Sequence, residues 1–330
     1  RLKGQNSGEK SLKALALLLF KQAKCCEHKK CFFCGSKQVK KNGRKNGKQQ
    51  YKCNDCRRQF VQGNRLNADQ LWYLYSSGKQ SAQQLADQFS CSRKTILRHL
   101  NQAKHHAEFF TPTAANVMLD TTYFGRHFGV MVLYDGNAKK ALPVTEVKSE
   151  TNALYHQAVQ ELVEKGILIQ SIICDGKAGL LKSFGDLPVQ LCQFHQLKTV
   201  NRYLTNRPKT AAGRALKEVA LLLKDSSEQR FKQLLENWLK EHENFLNEKT
   251  VNPETGHSFY THKRLRSAFL SLKRNLDWLF TFERHPELNI PKTTNLLEGC
   301  FGDVKRLLSC HSGMKKENKI RFIKDYFSEK

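Results

Sequence analysis

At 330 residues the chain has room for two or three domains and a sizeable core. Its 56 Lys and Arg against 30 Asp and Glu leave a formal charge of +26, far beyond what solubility needs, so the expected partner is a polyanion, nucleic acid first. The longest apolar run, Ala14 to Phe20, is too short to cross a bilayer, and no membrane partner is expected.

Residues 1–30 read as a basic N-terminal segment. Leu12, Leu15, Ala16 and Leu19 recur there at helical spacing and predict a short amphipathic helix. Lys21, Lys24 and a Cys-Cys pair follow it where a secretory signal would place small residues, so no signal peptide is expected. Arg1 in place of an initiator Met leaves room for residues upstream.

Residues 31–66 hold Cys31-x-x-Cys34 and Cys53-x-x-Cys56, separated by 18 residues. That spacing predicts a zinc ribbon: two knuckles whose four thiolates close a tetrahedron around structural Zn²⁺. So small a module cannot bury a core, so the metal supplies its folding energy. Gly35, just past the first knuckle, is expected at positive φ. Cys25, Cys26 and His28 read as bystanders. The segment carries ten Lys or Arg and one acid, Asp55, with Tyr51 and Phe60 interleaved. Lys40, Lys41 and Arg44 are therefore expected on phosphate.

Residues 67–107 predict three helices with the cadence of a helix-turn-helix, capped by Asn67, Ser81 and Ser92. Leu85, Ala86, Ile96 and Leu100 would share its small core. Arg93 and Lys94 open the last helix, which would dock in the major groove with its first turn at the base edges.

Thr111-Pro112-Thr113 reads as a linker. From 113 to 330 the pattern predicts three strands, a helix over Thr151–Lys165, a buried strand over Ile167–Cys174, a short helix and a strand over Val189–Phe194. A helical stretch from Leu197 to about Phe282 follows, and a last helix begins at Thr293.

Among the acids, Asp120 interrupts an apolar strand and would share a face with Met118 and Thr122. Asp175 ends a buried strand, where sites assemble in α/β sheets, though Asp-Gly is also a common turn opener. Glu298 lies in Asn295-Leu-Leu-Glu298, which by itself reads as a capping box. Gly299 and Gly302 beside it would admit a bulky ligand, and Lys305 returns to the same face to meet a phosphate. Three separated carboxylates are what two-metal phosphoryl transfer requires, and Mg²⁺, or Mn²⁺ in its place, suits it.

Cys31 to Phe60, Met118-Leu-Asp-Thr-Thr122, Ile173-Cys-Asp-Gly176, Cys192-Gln-Phe-His195, Asn289 to Glu298 and Cys310-His-Ser-Gly-Met314 together span nearly the whole chain. In this order they resemble bacterial insertion-sequence transposases of the Mutator-like DDE superfamily, in the variant with an N-terminal zinc ribbon. The resemblance implies an RNase H-like mixed sheet with an all-helical insertion at about 199–291, and Asp120, Asp175 and Glu298 as the catalytic triad. It also implies a Cys-x-x-His pair, matched by Cys192 and His195. Two such ligands do not make a zinc site, so they read as a buried Cys and a hydrogen-bonded His supporting the catalytic centre. Cys310 stands where a basic residue is expected. The implied activity is DNA transposition: metal-dependent strand cleavage and strand transfer at transposon ends by a cytoplasmic, nucleoid-associated bacterial enzyme. Its expected partners are double-stranded DNA, at the ends and the target, and further copies of the chain on that DNA. The alternatives are a DNA-binding regulator with a retired catalytic domain and a nuclease without strand transfer.

Overall fold

The computed structural model describes residues 30–31, 33–45, 47–61, 66–103, 107–126 and 128–329. The helix expected over residues 12–19, together with Cys25, Cys26 and His28, lies outside them. Two compact units divide at Leu66 and Asn67.

The first unit is a three-stranded antiparallel sheet of β1 (Val39–Lys45), β2 (Lys48–Cys53) and β3 (Gln59–Val61). Its core is minimal: Cys31, Tyr51, Cys53 and Phe60 are buried, and the Tyr51 and Phe60 rings stack at 5.9 Å. Gly35 takes φ 73°, a conformation open to glycine at no steric cost, and its N–H closes the first knuckle on the Cys31 carbonyl at 2.9 Å.

The second unit opens with three helices, α1 (Ala68–Ser76), α2 (Ala82–Gln88) and α3 (Arg93–Gln102). Asn67, Ser81 and Ser92 cap them as expected, and Ser81 forms a full capping box with Gln84. Leu85, Ala86, Ile96 and Leu100 are buried between them.

A five-stranded mixed sheet follows. Its strands are β4 (Ala114–Phe124), β5 (Phe128–Asp135), β6 (Lys140–Val147), β7 (Leu168–Cys174) and β8 (Val189–Leu191), ordered β6-β5-β4-β7-β8. β5 runs antiparallel to β4 and β6; β7 runs parallel to β4 and to β8. Every residue of β5 is buried, as fits a strand covered on both faces. Helix α4 (Asn152–Glu164) packs Tyr155, Ala158, Val159 and Leu162 onto one face, against Val117, Leu119, Leu133 and Ile172.

Beyond the sheet come α5 (Gln193–Leu204), α6 (Ala211–Leu221), α7 (Glu228–Asn247) and α8 (Lys263–Leu279), packed around Phe231, Trp238, Phe269 and Phe280. The final helices, α9 (Asn295–Ser309) and α10 (Lys316–Ser328), return to the sheet, α9 on β4 and α10 on β6.

Two local expectations are corrected. The strand expected over Val189–Phe194 stops at Leu191, because the Gln193 N–H bonds the Lys292 carbonyl at 3.0 Å and a helix starts there. The stretch expected to be helical to Phe282 contains a hairpin, β9 (Lys249–Val251) with β10 (Ser258–Tyr260). Its turn is held by Asn252, whose side chain accepts the Glu254 N–H at 2.9 Å, and by Gly256 at φ 67°. Asp135, at the turn after β5, is only 3% exposed and accepts the Asn137 N–H at 3.0 Å.

Candidate functional sites

In the first unit the four cysteines converge. Cys31 and Cys56 sulfurs lie 3.5 Å apart and those of Cys34 and Cys53 3.6 Å apart, with all four ligand atoms within 4.8 Å of one another. A disulfide would need about 2.05 Å. A zinc tetrahedron with Zn–S of about 2.3 Å has S–S edges of about 3.8 Å. The four cysteines could hold a zinc ion, and thiolate is the donor that metal favours. Lys40, Lys41 and Arg44 are exposed on β1.

In the second unit Arg93 and Lys94 are exposed on the first turn of α3, behind the Ser92 cap. Lys305 lies on α9 with its Nζ 5.8 Å from the Phe124 ring centroid.

The carboxylates come together where β7 ends beside the middle of β4. Parallel pairing sets Met118 of β4 against Ile173 of β7. The same offset carried two residues further puts Asp175 beside Asp120. Electrostatics agree: Asp175 and Glu298 both act on Asp120. Burial is the main force on the Asp120 carboxyl. It outweighs His195 and the Thr121 N–H, and with the neighbouring carboxylates raises the pKa to about 7. Asp175 also fulfils the turn role, its Oδ1 accepting the Lys177 N–H at 3.1 Å.

Glu298 does not form a capping box. Thr294, not Asn295, is the cap residue of α9, and it makes no side-chain cap bond. The Glu298 carboxylate instead reaches α5, accepting from His195 Nε2 at 2.9 Å and from Lys198 Nζ at 3.0 Å. One ligand atom each from Asp120, His195 and Glu298 lies within 4.8 Å of the others. Asp175 stands beside this trio without being part of it. Gly299 and Gly302 leave open space: a Cβ at either would meet nothing within 4 Å.

Cys192 joins the two helices. Its buried sulfur accepts from both the Thr294 N–H and hydroxyl at 3.3 Å, so the start of α9 is tied to the start of α5. Burial alone would raise the Cys192 thiol; the neighbouring His195 and the hydrogen bonds from Thr294 outweigh it and lower the pKa. For His195, burial acts to lower the pKa, and the Cys192 sulfur with the Asp120 and Glu298 carboxylates reverses this, leaving it raised. The segment before α9 is anchored too. Asn116 Nδ2 donates to the Leu288 carbonyl at 2.9 Å, and Gly136 lies under Pro291 so closely that a Cβ would come within 2.6 Å of its ring. Lys198 and Thr294 also belong to the site, and no motif in the sequence marks either of them; Lys198 reaches Glu298 from α5. It falls one helical turn after Phe194, whose ring its Nζ overlies at 4.3 Å, and three residues after His195.

Residues 61–103 match the helix-turn-helix domain of resolvase. The three-helix unit is thus of a DNA-binding type that belongs to recombination enzymes. No curated protein matches the chain. Among the described residues no helix is long and apolar enough to cross a membrane.

Proposed function

We propose that this protein is a DNA transposase of the Mutator-like DDE type, built from a zinc ribbon, a helix-turn-helix and an RNase H-like catalytic core. The observation that carries the reading is the meeting of Asp120, His195 and Glu298, with Asp175 acting on Asp120 from beside them, in the same compact unit as a resolvase-type helix-turn-helix. The sheet order, with a central strand flanked by one antiparallel and one parallel neighbour, supports the RNase H-like assignment.

The donor set fits a divalent metal. Three carboxylates supply hard oxygen donors for Mg²⁺ or Mn²⁺, and a His nitrogen among them is better tolerated by Mn²⁺. When bound, such ions lower the pKa of the attacking water or 3′-hydroxyl and stabilise the leaving oxygen. Asp120 on β4, Asp175 just past the end of β7 and Glu298 on α9 would hold them.

The protein's own groups prepare this site. His195 and Lys198 neutralise Glu298 and hold its carboxylate toward Asp120. Thr294 and Cys192 fix the helix that carries Glu298. Lys198, 52% exposed at its side chain, is free to turn from Glu298 to a DNA phosphate. Arg93 and Lys94 would read the transposon ends, while Lys40, Lys41 and Arg44 hold phosphates, and further copies of the chain would pair the two ends.

The test is strand transfer. Linear DNA carrying the ends of the encoding element is incubated with the protein, Mg²⁺ or Mn²⁺ and a supercoiled plasmid. Covalent joint molecules are the expected product; binding without joining would leave the regulator reading, and cutting without joining the nuclease reading.

A further inference from the structure

The helical region after the sheet carries a second concentration of cations, remote in sequence from the helix-turn-helix. Residues 200–218 and 248–266 hold nine Lys or Arg against three acids. Of those acids, Glu248 is already engaged by His262 at 2.8 Å. Among the described residues, Lys209, Lys249, Lys263, Arg264 and Arg266 form no ion pair with any acid.

Three of these cations, Lys209, Lys263 and Arg264, line a cavity of about 340 Å³ together with Tyr203, Phe259 and Tyr260 among others. It lies where the β9–β10 hairpin meets the end of α5 and the starts of α6 and α8. Aromatic rings interleave with the charges. Lys263 Nζ stands 4.2 Å from the Phe259 ring centroid, and the Arg266 guanidinium lies 4.0 Å over Tyr260. Phe259 remains 37% exposed, although it is a large apolar side chain at the end of a hairpin. Strand pairing sets it opposite Thr250.

Cations without acids call for an anion. An exposed ring beside a lysine offers a stacking surface for a flat, unpaired base. A duplex keeps its base faces stacked inside, whereas a single strand can place a base on Phe259 and its phosphate on Lys263 or Lys209. The cavity falls at the small end of the range for ligand pockets, which suits one nucleotide rather than a helix. We propose that the face formed by the β9–β10 hairpin, Tyr203 and Lys209 binds single-stranded DNA, with an unpaired base on Phe259 and the backbone on Lys209 and Lys263. This rests on DNA being the partner of the protein, which the helix-turn-helix carries, and not on the strand-cleaving reading.

The test uses the full chain and two probes, a short oligo(dT) and a blunt duplex of the same length. Phe259→Ala should weaken oligo(dT) binding about fivefold or more, with the salt dependence unchanged and duplex affinity within about twofold. Phe259→Tyr should restore binding. Joint Lys209→Ala and Lys263→Ala replacement should flatten the salt dependence by about 0.7 for each phosphate no longer neutralised. On the unmodified protein, oligo(dT) carrying 5-iododeoxyuridine should photocrosslink to residues 249–263. Crosslinks confined to the first unit or the helix-turn-helix would overturn the proposal. So would a Phe259→Ala protein that binds oligo(dT) like the parent, or one that loses duplex and single strand equally.

Discussion

His195 Nε2 lies 2.9 Å from Glu298 Oε1, so a histidine in the first turn of α5 holds a glutamate in the first turn of α9, with helices α6 to α8 between them in sequence. The bond gives Glu298 a role that helix capping does not. Glu298→Gln removes a charge from a partly exposed pair, where such pairs contribute up to about 1 kcal/mol, so the melting temperature should move by only a few degrees. Strand cleavage should nevertheless disappear. A folded variant with full cleavage activity would remove Glu298 from the site.

Metal-free stability should depend on pH in a defined direction. Asp120 is raised from 3.8 to about 7 in the folded protein, and His195 is raised above its ordinary 6.5. In both cases the protonated form is favoured by folding. Their contribution is complete below the unfolded pKa and is lost as pH rises through the folded one. In chelator, the melting temperature should therefore fall between pH 6 and pH 8, and Asp120→Asn should flatten that slope. Mn²⁺ should raise the melting temperature more at pH 8 than at pH 6, because it binds the deprotonated carboxylates. Scanning calorimetry at the two pH values decides it; a rise in metal-free stability from pH 6 to pH 8 would contradict this electrostatic account.

Zinc should account for the order of residues 31–61. One equivalent of zinc per chain is expected by elemental analysis. Strong chelation, or Cys53→Ser, should unfold the ribbon while helical circular dichroism from the second unit persists. Purified protein free of zinc with an intact ribbon would refute the assignment.

DNA affinity should separate into two kinds of interaction. Replacing Lys40, Lys41 or Arg44 with Ala should weaken binding to all sequences alike and lower the salt slope by about 0.9 for each phosphate left without its cation. Replacing Arg93 or Lys94 should erode discrimination between transposon ends and random duplex. Competition titrations at two salt concentrations measure both effects. Unchanged discrimination in the Arg93 and Lys94 variants would mean that α3 does not read bases.

Much of this is legible in the sequence because the signals are local. The Cys-x-x-Cys pairs, the Asn67, Ser81 and Ser92 caps and the apolar run before Cys174 each fix their own neighbourhood. What escapes depends on distant partners. No spacing predicts that Glu298 prefers His195 and Lys198 to its own helix end. The β9–β10 hairpin hides in a charged stretch, although Asn252-Pro253 and Gly256 mark its turn. Helix α10 escapes as well, and it holds the helix-turn-helix to the sheet. Its Asp325 accepts a hydrogen bond from the Trp72 indole, and Arg321 lies 4.1 Å over the same ring. His311, just before α10, packs against Tyr75 with the ring centroids 4.1 Å apart and the planes tilted by 41°. These interactions join residues more than two hundred positions apart, beyond the reach of periodicity or capping rules.

That Asp120, Asp175 and Glu298 together cleave DNA strands at transposon ends is tested most directly by end cleavage with labelled end DNA and Mn²⁺ or Mg²⁺. The parent protein is compared with Asp120→Asn, Asp175→Asn and Glu298→Gln, with end binding measured in parallel. Metal-dependent release of a 3′-hydroxyl by the parent, and its loss of at least about a thousandfold in each variant with end binding retained, is the predicted result. Cleavage that survives any one of the three replacements, or a parent protein that binds its ends and never cuts them with either metal, would contradict it.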